Sequence, residues 1–343
     1  MKNKKTTIND IARALSISPS AVSKALNQHP RISKTTREAV EAMARQMRYE
    51  PNHIAAALRK GKSQLIGIIV PAIDINFFAV VVKGIEFVVN QAGYNVIISQ
   101  SHDSFEKEQQ NIDALLKTQV DGIICSLANS TTQHRHLEKV LQQGVPLVLF
   151  DRTEDQLPLS TVVIDDYQGA TVATQHLISQ GCRKILHLAG PQKVMPYQLR
   201  AQGFKDALKT SMVPIHKTWI IESTLSIQDG RHAMADCLAT GICPDGVFAS
   251  SDQAALGALQ ILKAHGLAIP NDVAIIGFSN EPFTSYVQPA LSTVEQYGEK
   301  MGQLAANLIL EQCNQEIGRF VHRKIVLPTA LVIRDSSDRK RKL

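Results

Sequence analysis

The sequence predicts an all-α helix-turn-helix head joined to an α/β body of two lobes with parallel sheets, and three observations carry that reading. The first is charge. Residues 1–62 hold 13 Lys and Arg against 4 Asp and Glu, a balance of +9, whereas the other 281 residues carry 24 against 27, or −3. The second is helical periodicity with capping residues through Met47. The third is alternation of short apolar runs with helix-length amphipathic segments over residues 63–335. A chain of 343 residues is soft evidence for two or three domains. Its 44% hydrophobic and 20% charged residues are the composition of a globular protein.

The head opens with Thr7-Ile8-Asn9-Asp10, a capped helix start with an acid in its first turn. Ile8, Ile11, Ala12 and Leu15 recur at helical spacing. Ser16 and Ile17 leave room for a short break before Ser18-Pro19 opens a second helix, Ser as cap and Pro where the N–H has no partner. Val22, Ala25 and Leu26 supply its inner face, and Ser20, Ser23, Lys24 and Asn27 its outer one. Ser33 caps a third helix to about Met47, with Val40, Ala44 and Met47 inward. Clustered Lys and Arg suit phosphate neutralisation. Two short helices across a tight turn with a supporting third make a helix-turn-helix, against the plainer reading of a charged three-helix bundle.

The segments Thr7–Ala12 and Ile17–Asn27 resemble the DNA-binding head of the lactose-repressor (LacI/GalR) family, and Tyr49–Arg59 resembles its hinge helix. The similarity extends over nearly the whole chain. It implies contacts to double-stranded operator DNA by Thr7, Ser18, Pro19, Ser20, Ser23, Lys24 and Asn27, and by Asn52, Ala55 and Leu58 of the hinge. The pattern departs at Pro19 and Ser20, where many relatives carry larger polar residues. Lys24 stands where Arg is common and lacks Arg's bidentate fork to guanine. Asn52 caps the expected hinge helix and Gly61 ends it. A helix that short is unstable alone in water. A second copy and a DNA groove would hold it, with Leu58, among Arg59, Lys60 and Lys62, as a minor-groove wedge. A plain linker is the alternative. Gly61-Lys62-Ser63 is no phosphate loop, because Ala56 stands where the motif needs Gly.

In the body, Leu65–Val70, Val96–Ser99, Gly122–Ser126, Leu147–Phe150, Thr161–Ile164, Lys184–Ala189, Gly246–Ala249 and Val273–Phe278 read as strands. Ala79–Gln91, Phe105–Thr118, Tyr167–Gln180 and Gln253–His265 read as helices between them. This alternation argues for parallel sheets with right-handed crossovers, and its length for two lobes. The expected organisation is a head over 1–50, a hinge over 51–62 and a body over 63–335. Lobe 1 takes about 63–161 with 293–325, lobe 2 about 162–292, and 336–343 form a basic tail. The body resembles the periplasmic-binding-protein-like fold that the family uses as its sensor. Ligands in such folds sit at the carboxyl ends of strands, between the lobes.

Several residues fall at those strand ends. Asp74, Phe77 and Phe78 follow the first strand, the rings suited to a sugar's C–H face or to the core. Asp151 and Arg152 close the Leu147–Phe150 strand, with a surface ion pair as the plainer reading. The resemblance assigns effector contacts to Arg200 in Tyr197–Phe204, to Leu225, and to Ser251-Asp252, where Ser replaces the family's Asn. It does the same for Asn280 in Gly277-Phe278-Ser279-Asn280, where both of the family's acids are replaced.

Other functions find little support. Leu65–Ile73 and Phe77–Val82 are shorter than the roughly 18 apolar residues of a membrane span, and no signal-peptide core follows Met1-Lys2-Asn3-Lys4-Lys5. Five scattered cysteines without a C-x-x-C pair suit reduced thiols, not a zinc or disulfide framework. No nucleophile elbow, zinc-protease or dinucleotide motif occurs. His134 and His136 flank Arg135 in what reads as a surface loop, and Asp165-Asp166 read as structural at a lobe crossover. No metal or cofactor is expected, and no enzyme. The resemblance implies a cytoplasmic, nucleoid-associated transcription regulator, a repressor of carbohydrate-utilisation genes. It would act as a homodimer on a near-palindromic operator and respond to a small-molecule effector, a sugar or sugar derivative. The alternative is a catabolite-control-type regulator whose corepressor is a partner protein. A sugar-binding protein without DNA function fails on the +9 head.

Overall fold

The computed structural model describes residues 6–49, 62–214, 219–241, 243–315 and 321–339. The chain divides into two compact units, 1–63 and 64–343.

The first unit contains α1 (Ile8–Ala14), α2 (Pro19–Leu26) and α3 (Lys34–Gln46). Each start is set by a local hydrogen bond. The Asp10 carboxylate accepts from Thr7 N at 2.9 Å and from Thr7 Oγ1 at 2.7 Å. Ser18 Oγ accepts from Ala21 N at 3.1 Å, and Ser33 Oγ from Thr36 N at 3.2 Å. Ser16, at φ 52°, makes the tight turn between α1 and α2 in left-handed backbone. Ile11, Ala12, Val22, Ala25, Val40 and Ala44 form the core, and Met47 packs against it half-buried.

In chain order the second unit runs β1 (Leu65–Val70), α4 (Asn76–Gln91), β2 (Asn95–Gln100), α5 (Phe105–Lys117), β3 (Gly122–Cys125), α6 (Arg135–Gln142), β4 (Leu147–Phe150), β5 (Ser160–Ile164) and α7 (Asp166–Ser179). It continues with β6 (Ile185–Ala189), α8 (Met195–Thr210), β7 (Ile220–Glu222), α9 (Ile227–Ala239), β8 (Gly246–Ala249), α10 (Asp252–Ala264) and β9 (Ala274–Ile276). A 3₁₀ turn (Pro282–Ser285), β10 (Thr293–Glu295), α11 (Gly298–Asn314), β11 (Lys324–Leu327) and β12 (Ala330–Val332) complete it.

Lobe 1 is a six-stranded sheet in the order β11-β5-β4-β3-β1-β2, and lobe 2 a four-stranded sheet in the order β7-β6-β8-β9. Every pairing in both is parallel. A parallel sheet is covered on both faces, so its central strands read as unbroken apolar runs. Ile66, Ile68, Ile69 and Val70 of β1 accordingly have no exposed surface. One apolar cluster runs through both lobes, from Ile66 and Phe150 to Phe204, Phe248 and Phe278. The helix α11 lies so close to α4 that a Cβ on Gly84 would stand 2.3 Å from the Glu299 carbonyl oxygen, and one on Gly302 2.1 Å from that of Val81. Only glycine fits at such a crossing.

The chain passes between lobes three times: after β5, between β10 and α11, and between β11 and β12. Four expectations need correction. Strand β5 keeps residues to Ile164 in lobe 1. Residues 293–295 lie outside the lobe 1 sheet, since they pair with β12 and Ser279 bridges to Glu295. Residues 336–339 are no tail. Ser336 and Ser337 are fully buried, Ile275 N donates to Ser336 O at 2.8 Å, and the Arg339 guanidinium donates to the carbonyls of Pro270 and Asp245. The stretch around Arg135 is helix α6, not a loop. His136 is buried against Glu108, with Nε2 2.7 Å from Oε1. Charge at 135, 136, 138 and 139 hid that helix, whose apolar face is only Leu137, Val140 and Leu141.

Candidate functional site

On the head, Thr7, Ser18, Pro19, Ser20, Lys24 and Asn27 are exposed and Ser23 is half-buried. Among the described residues of the same small unit, seven cationic ones, Arg13, Lys24, Arg31, Lys34, Arg45, Arg48 and Lys62, are exposed. That is the electrostatic footprint of a phosphate-backbone binder. Three of the expected contacts already serve the fold. Thr7 Oγ1 donates to Asp10 at 2.7 Å at the start of α1, the hydroxyl of Ser18 caps α2, and Asn27 Nδ2 donates to Ser23 O at 2.7 Å. Asn52, Ala55 and Leu58 lie outside the described residues.

In the body, a cavity of about 180 Å³ lies where the strands of both lobes end. The exits of β1, β4, β8 and β9 bring Ile75, Phe77, Phe78, Asp151, Arg152, Ser250, Ser251 and Ser279 to it, and α8 adds Tyr197 and Arg200. Strands supply the position and their exit turns supply the chemistry, as expected of a parallel sheet. Asp103, Asp151, Leu225 and Ser279 border the cavity in left-handed backbone, at φ 56°, 58°, 66° and 125°. For non-glycine residues such geometry costs of order 1–3 kcal/mol each and concentrates at ligand sites.

Two buried arginines organise the cavity. Arg152, 6% exposed, pairs through Nη1 with Asp103 and lies 3.8 Å by Nε from Asp151. Its Nη2 donates to the Tyr197 hydroxyl at 3.3 Å, a hydrogen bond from lobe 1 to lobe 2, and its guanidinium carbon is 5.6 Å from the Phe78 ring centroid. Arg200 donates from Nε to Asp166 Oδ1 at 2.7 Å and from Nη1 to Ser250 O at 2.8 Å, with the Phe278 ring centroid 3.7 Å away. Burial pushes the Asp166 carboxyl up to about 6 against the pull of Arg200. Burial also raises Asp151 against the pull of Arg152. Both arginines and the acids Asp151 and Asp166 are buried, so these are not surface ion pairs.

Of the expected effector residues, Phe77, Phe78, Asp151, Arg152, Arg200, Leu225 and Ser251 border the cavity. Three do not. Asp74 is exposed, and the chain turns Ile75 inward instead. Asn280, at φ 51°, is held by Glu295 at 2.6 Å and Arg334 at 2.8 Å, so its neighbours Ser279 and Glu281 face the cavity. Asp252 is fully buried behind it. Its Oδ1 accepts from Thr293 Oγ1 at 2.5 Å and its Oδ2 from Glu281 N at 2.8 Å, and burial raises its carboxyl to about 7. Sequence reasoning missed Asp103, Asn129, Ser250, Gln253, Glu281 and Gln296. Asp103 and Asn129 follow β2 and β3 closely enough that the strand-end rule would have reached them. Gln296 follows β10, a strand too short to read. Among the described residues no group of His, Cys, Asp and Glu could hold a metal ion, and no helix is long and apolar enough to cross a membrane.

Comparison with known proteins agrees with both units. Residues 7–52 match the profile of bacterial regulatory proteins of the lacI family, and residues 174–337 that of the periplasmic binding protein-like domain. The chain is 32% identical to the ribose operon repressor of Halalkalibacterium halodurans over 97% of each chain. It is 32% identical to catabolite control protein A of Priestia megaterium over 90% of this chain and 93% of that one. Its fold matches a crystal structure of the lac repressor dimer bound to operator and an anti-inducer, with a TM-score of 0.85, 27% identity and coverage of 97% and 99%. The protein belongs to the lacI family of bacterial regulatory proteins: it is a DNA-binding transcription regulator with a ligand-binding body, not an enzyme.

Proposed function

We propose that this regulator is a repressor of carbohydrate-utilisation genes, binding a near-palindromic operator as a homodimer and switched by a small sugar or sugar derivative held between its lobes. The observation that carries this reading is the cavity at the strand ends, with aromatic walls and buried charged groups, bridged by the Arg152–Tyr197 hydrogen bond. A relative named as a ribose operon repressor and a neighbour solved with operator and anti-inducer support it. Residues near the start of α2 would read base edges in the major groove, and two copies of Leu58 would wedge into the operator's central step. As a DNA-binding regulator the protein works in the cytoplasm, and operator binding would place it on the nucleoid.

A ligand that spans the cavity favours one relation of the lobes over the other. It changes operator affinity only by that preference, about 1–3 kcal/mol or roughly 5–150-fold in typical cases. The test is operator affinity, on DNA selected from a random pool, with and without sugars, for wild type and Arg200→Lys. Lys keeps a cation beside Asp166 but loses the planar fork. The response to ligand should fall at least tenfold while ligand-free operator binding persists. An unchanged response would move the effector site out of this cavity and favour a partner-protein corepressor bound to the body's surface.

A further inference from the structure

Taking the cavity as the effector site, we propose that its ligand carries a protonated amine, as in an amino sugar or amino polyol, with Glu281 receiving the ammonium group, and that phosphorylated or carboxylated sugars are excluded. The reason is the charge balance of the walls. Both lining guanidiniums are already committed to carboxylates of the protein. Arg152 spends Nη1 on Asp103, Nη2 on the Tyr197 hydroxyl and lays Nε beside Asp151. Arg200 spends Nε on Asp166 and Nη1 on Ser250 O.

The acceptors are left over. Asn129 Nδ2 donates to Asp103 Oδ2 at 3.2 Å, which fixes the amide so that Oδ1 is the acceptor, and Oδ1 is buried without a partner. Ser250 borders the same cavity, is 1% exposed, and its Oγ is also buried without a partner. The Glu281 carboxylate, on a residue 6% exposed, borders the cavity and faces the Gln253 side chain. In and directly behind the walls, three guanidiniums, those of Arg152, Arg200 and Arg334, stand against five carboxylates, those of Asp103, Asp151, Asp166, Asp252 and Glu281.

A buried charge without its counter-charge is unfavourable. Burial holds Asp151, Asp166 and Glu281 above the ordinary carboxylate range. An ammonium brings that charge and up to three donors. A phosphate brings further negative charge and only acceptors. The cavity of about 180 Å³ is smaller than the usual range of about 300–1,000 Å³, which limits the ligand to one small ring. Phe77 and Phe78 offer that ring an apolar wall.

The experiment titrates the full-length protein by calorimetry at pH 7.5 with glucosamine, galactosamine and mannosamine, their parent hexoses, and the corresponding hexose 6-phosphates. At least one free amine should bind tenfold or more tightly than its parent hexose, with the 6-phosphate weakest. Glu281→Gln should abolish that preference and Glu281→Asp should retain part of it, the unliganded melting temperature of each variant reporting its fold. Equal or tighter binding of a hexose or phosphate, a preference that survives Glu281→Gln, or no binding by any of these sugars overturns the proposal. A hexose that binds as tightly as its amine and shifts operator affinity would do so while leaving the regulator reading intact. An amine that binds without shifting operator affinity would do the reverse.

Discussion

The head and the cavity use opposite strategies for placing functional groups. On the head, most described residues expected to meet DNA are exposed, and Lys24 and Ser20 lie outside the small core that holds Val22 and Ala25. In the cavity the key side chains are themselves part of the interior. Arg152 and Arg200 are 6% and 4% exposed, each paired with a carboxylate from another element, and Asp151, 8% exposed, lies beside Arg152. Recognition and stability are therefore separable on the head and entangled in the cavity. A substitution that silences the head should leave a folded protein, whereas one that silences the cavity should first be felt as lost stability.

The largest expected effect breaks the Arg200–Asp166 pair. Arg200→Ala leaves Asp166, 3% exposed, without its guanidinium partner, and removes the cation from the Phe278 ring. Removing one member of a buried pair typically costs about 3–5 kcal/mol. Urea unfolding of the body should show a loss of that size at neutral pH. Arg200→Ala with Asp166→Asn should recover part of it, because the orphaned carboxylate is gone. A loss below about 1 kcal/mol, the scale of an exposed pair, would place Arg200 with the surface residues of the head and remove the contrast.

The second effect uses pH. Asp252 has an ordinary value of 3.8 and a folded value of about 7, raised by burial against hydrogen bonds from Thr293 and Glu281 N, with Glu281 adding and Arg334 opposing. Between those values the folded protein holds a proton that the unfolded chain has released. Stability from this group is thus greatest at low pH, falls as pH rises from about 4 to about 7 by up to about 1.4 kcal/mol per unit, and is flat above. Asp166 acts in the same direction up to about 6. His187, lowered by burial from 6.5 to about 4, acts in the opposite one. The difference between wild type and Asp252→Asn isolates the term. The variant's relative stability should climb with pH across that window, and a flat difference would show that Asp252 is ionised throughout.

The same contrast explains what was legible in the sequence. The head could be read almost residue by residue, because caps at Ser18 and Ser33 and apolar spacing at Ile11, Val22 and Val40 are local signals. The strands with four or more apolar residues were equally plain. The cavity was legible only as a set of strand ends. Whether Asn280 or its neighbour Glu281 faces inward depends on backbone angles near φ 51°, which sequence spacing does not encode. Arg339 reads as part of a basic tail because its partners, the carbonyls of Pro270 and Asp245, are backbone groups far away in sequence. The short strands β7, β10 and β12 have three residues each, too few for any period to show.

The third prediction returns to the exposed side of the comparison. Lys24 sits on the outer face of α2. If it reads a base, Lys24→Ala should cost about 1–3 kcal/mol of operator affinity relative to random DNA, with thermal unfolding unchanged within about 0.5 kcal/mol. Competition binding against both DNAs, beside a melting curve, measures the two terms separately. Equal weakening on both DNAs would make Lys24 a phosphate contact. A shifted melting curve would contradict the separability of the head.

The smallest effect tests an expected DNA contact in which the head's two roles overlap. Ser18 caps α2 through its hydroxyl, accepting from Ala21 N at 3.1 Å, and is exposed beside Ser20. Replacing an N-cap Ser with Ala typically costs about 1 kcal/mol, whereas Gly costs only a few tenths. Both substitutions remove the hydroxyl from any DNA contact. Ser18→Ala should therefore lower the head's stability by about 1 kcal/mol and Ser18→Gly by about 0.3 kcal/mol. If the hydroxyl also meets the operator, the two variants should lose the same operator affinity despite their different stabilities. Affinity that tracks stability instead, nearly intact in Ser18→Gly and weakened in Ser18→Ala, would make Ser18 a cap alone and leave recognition to the side chains that the fold does not use.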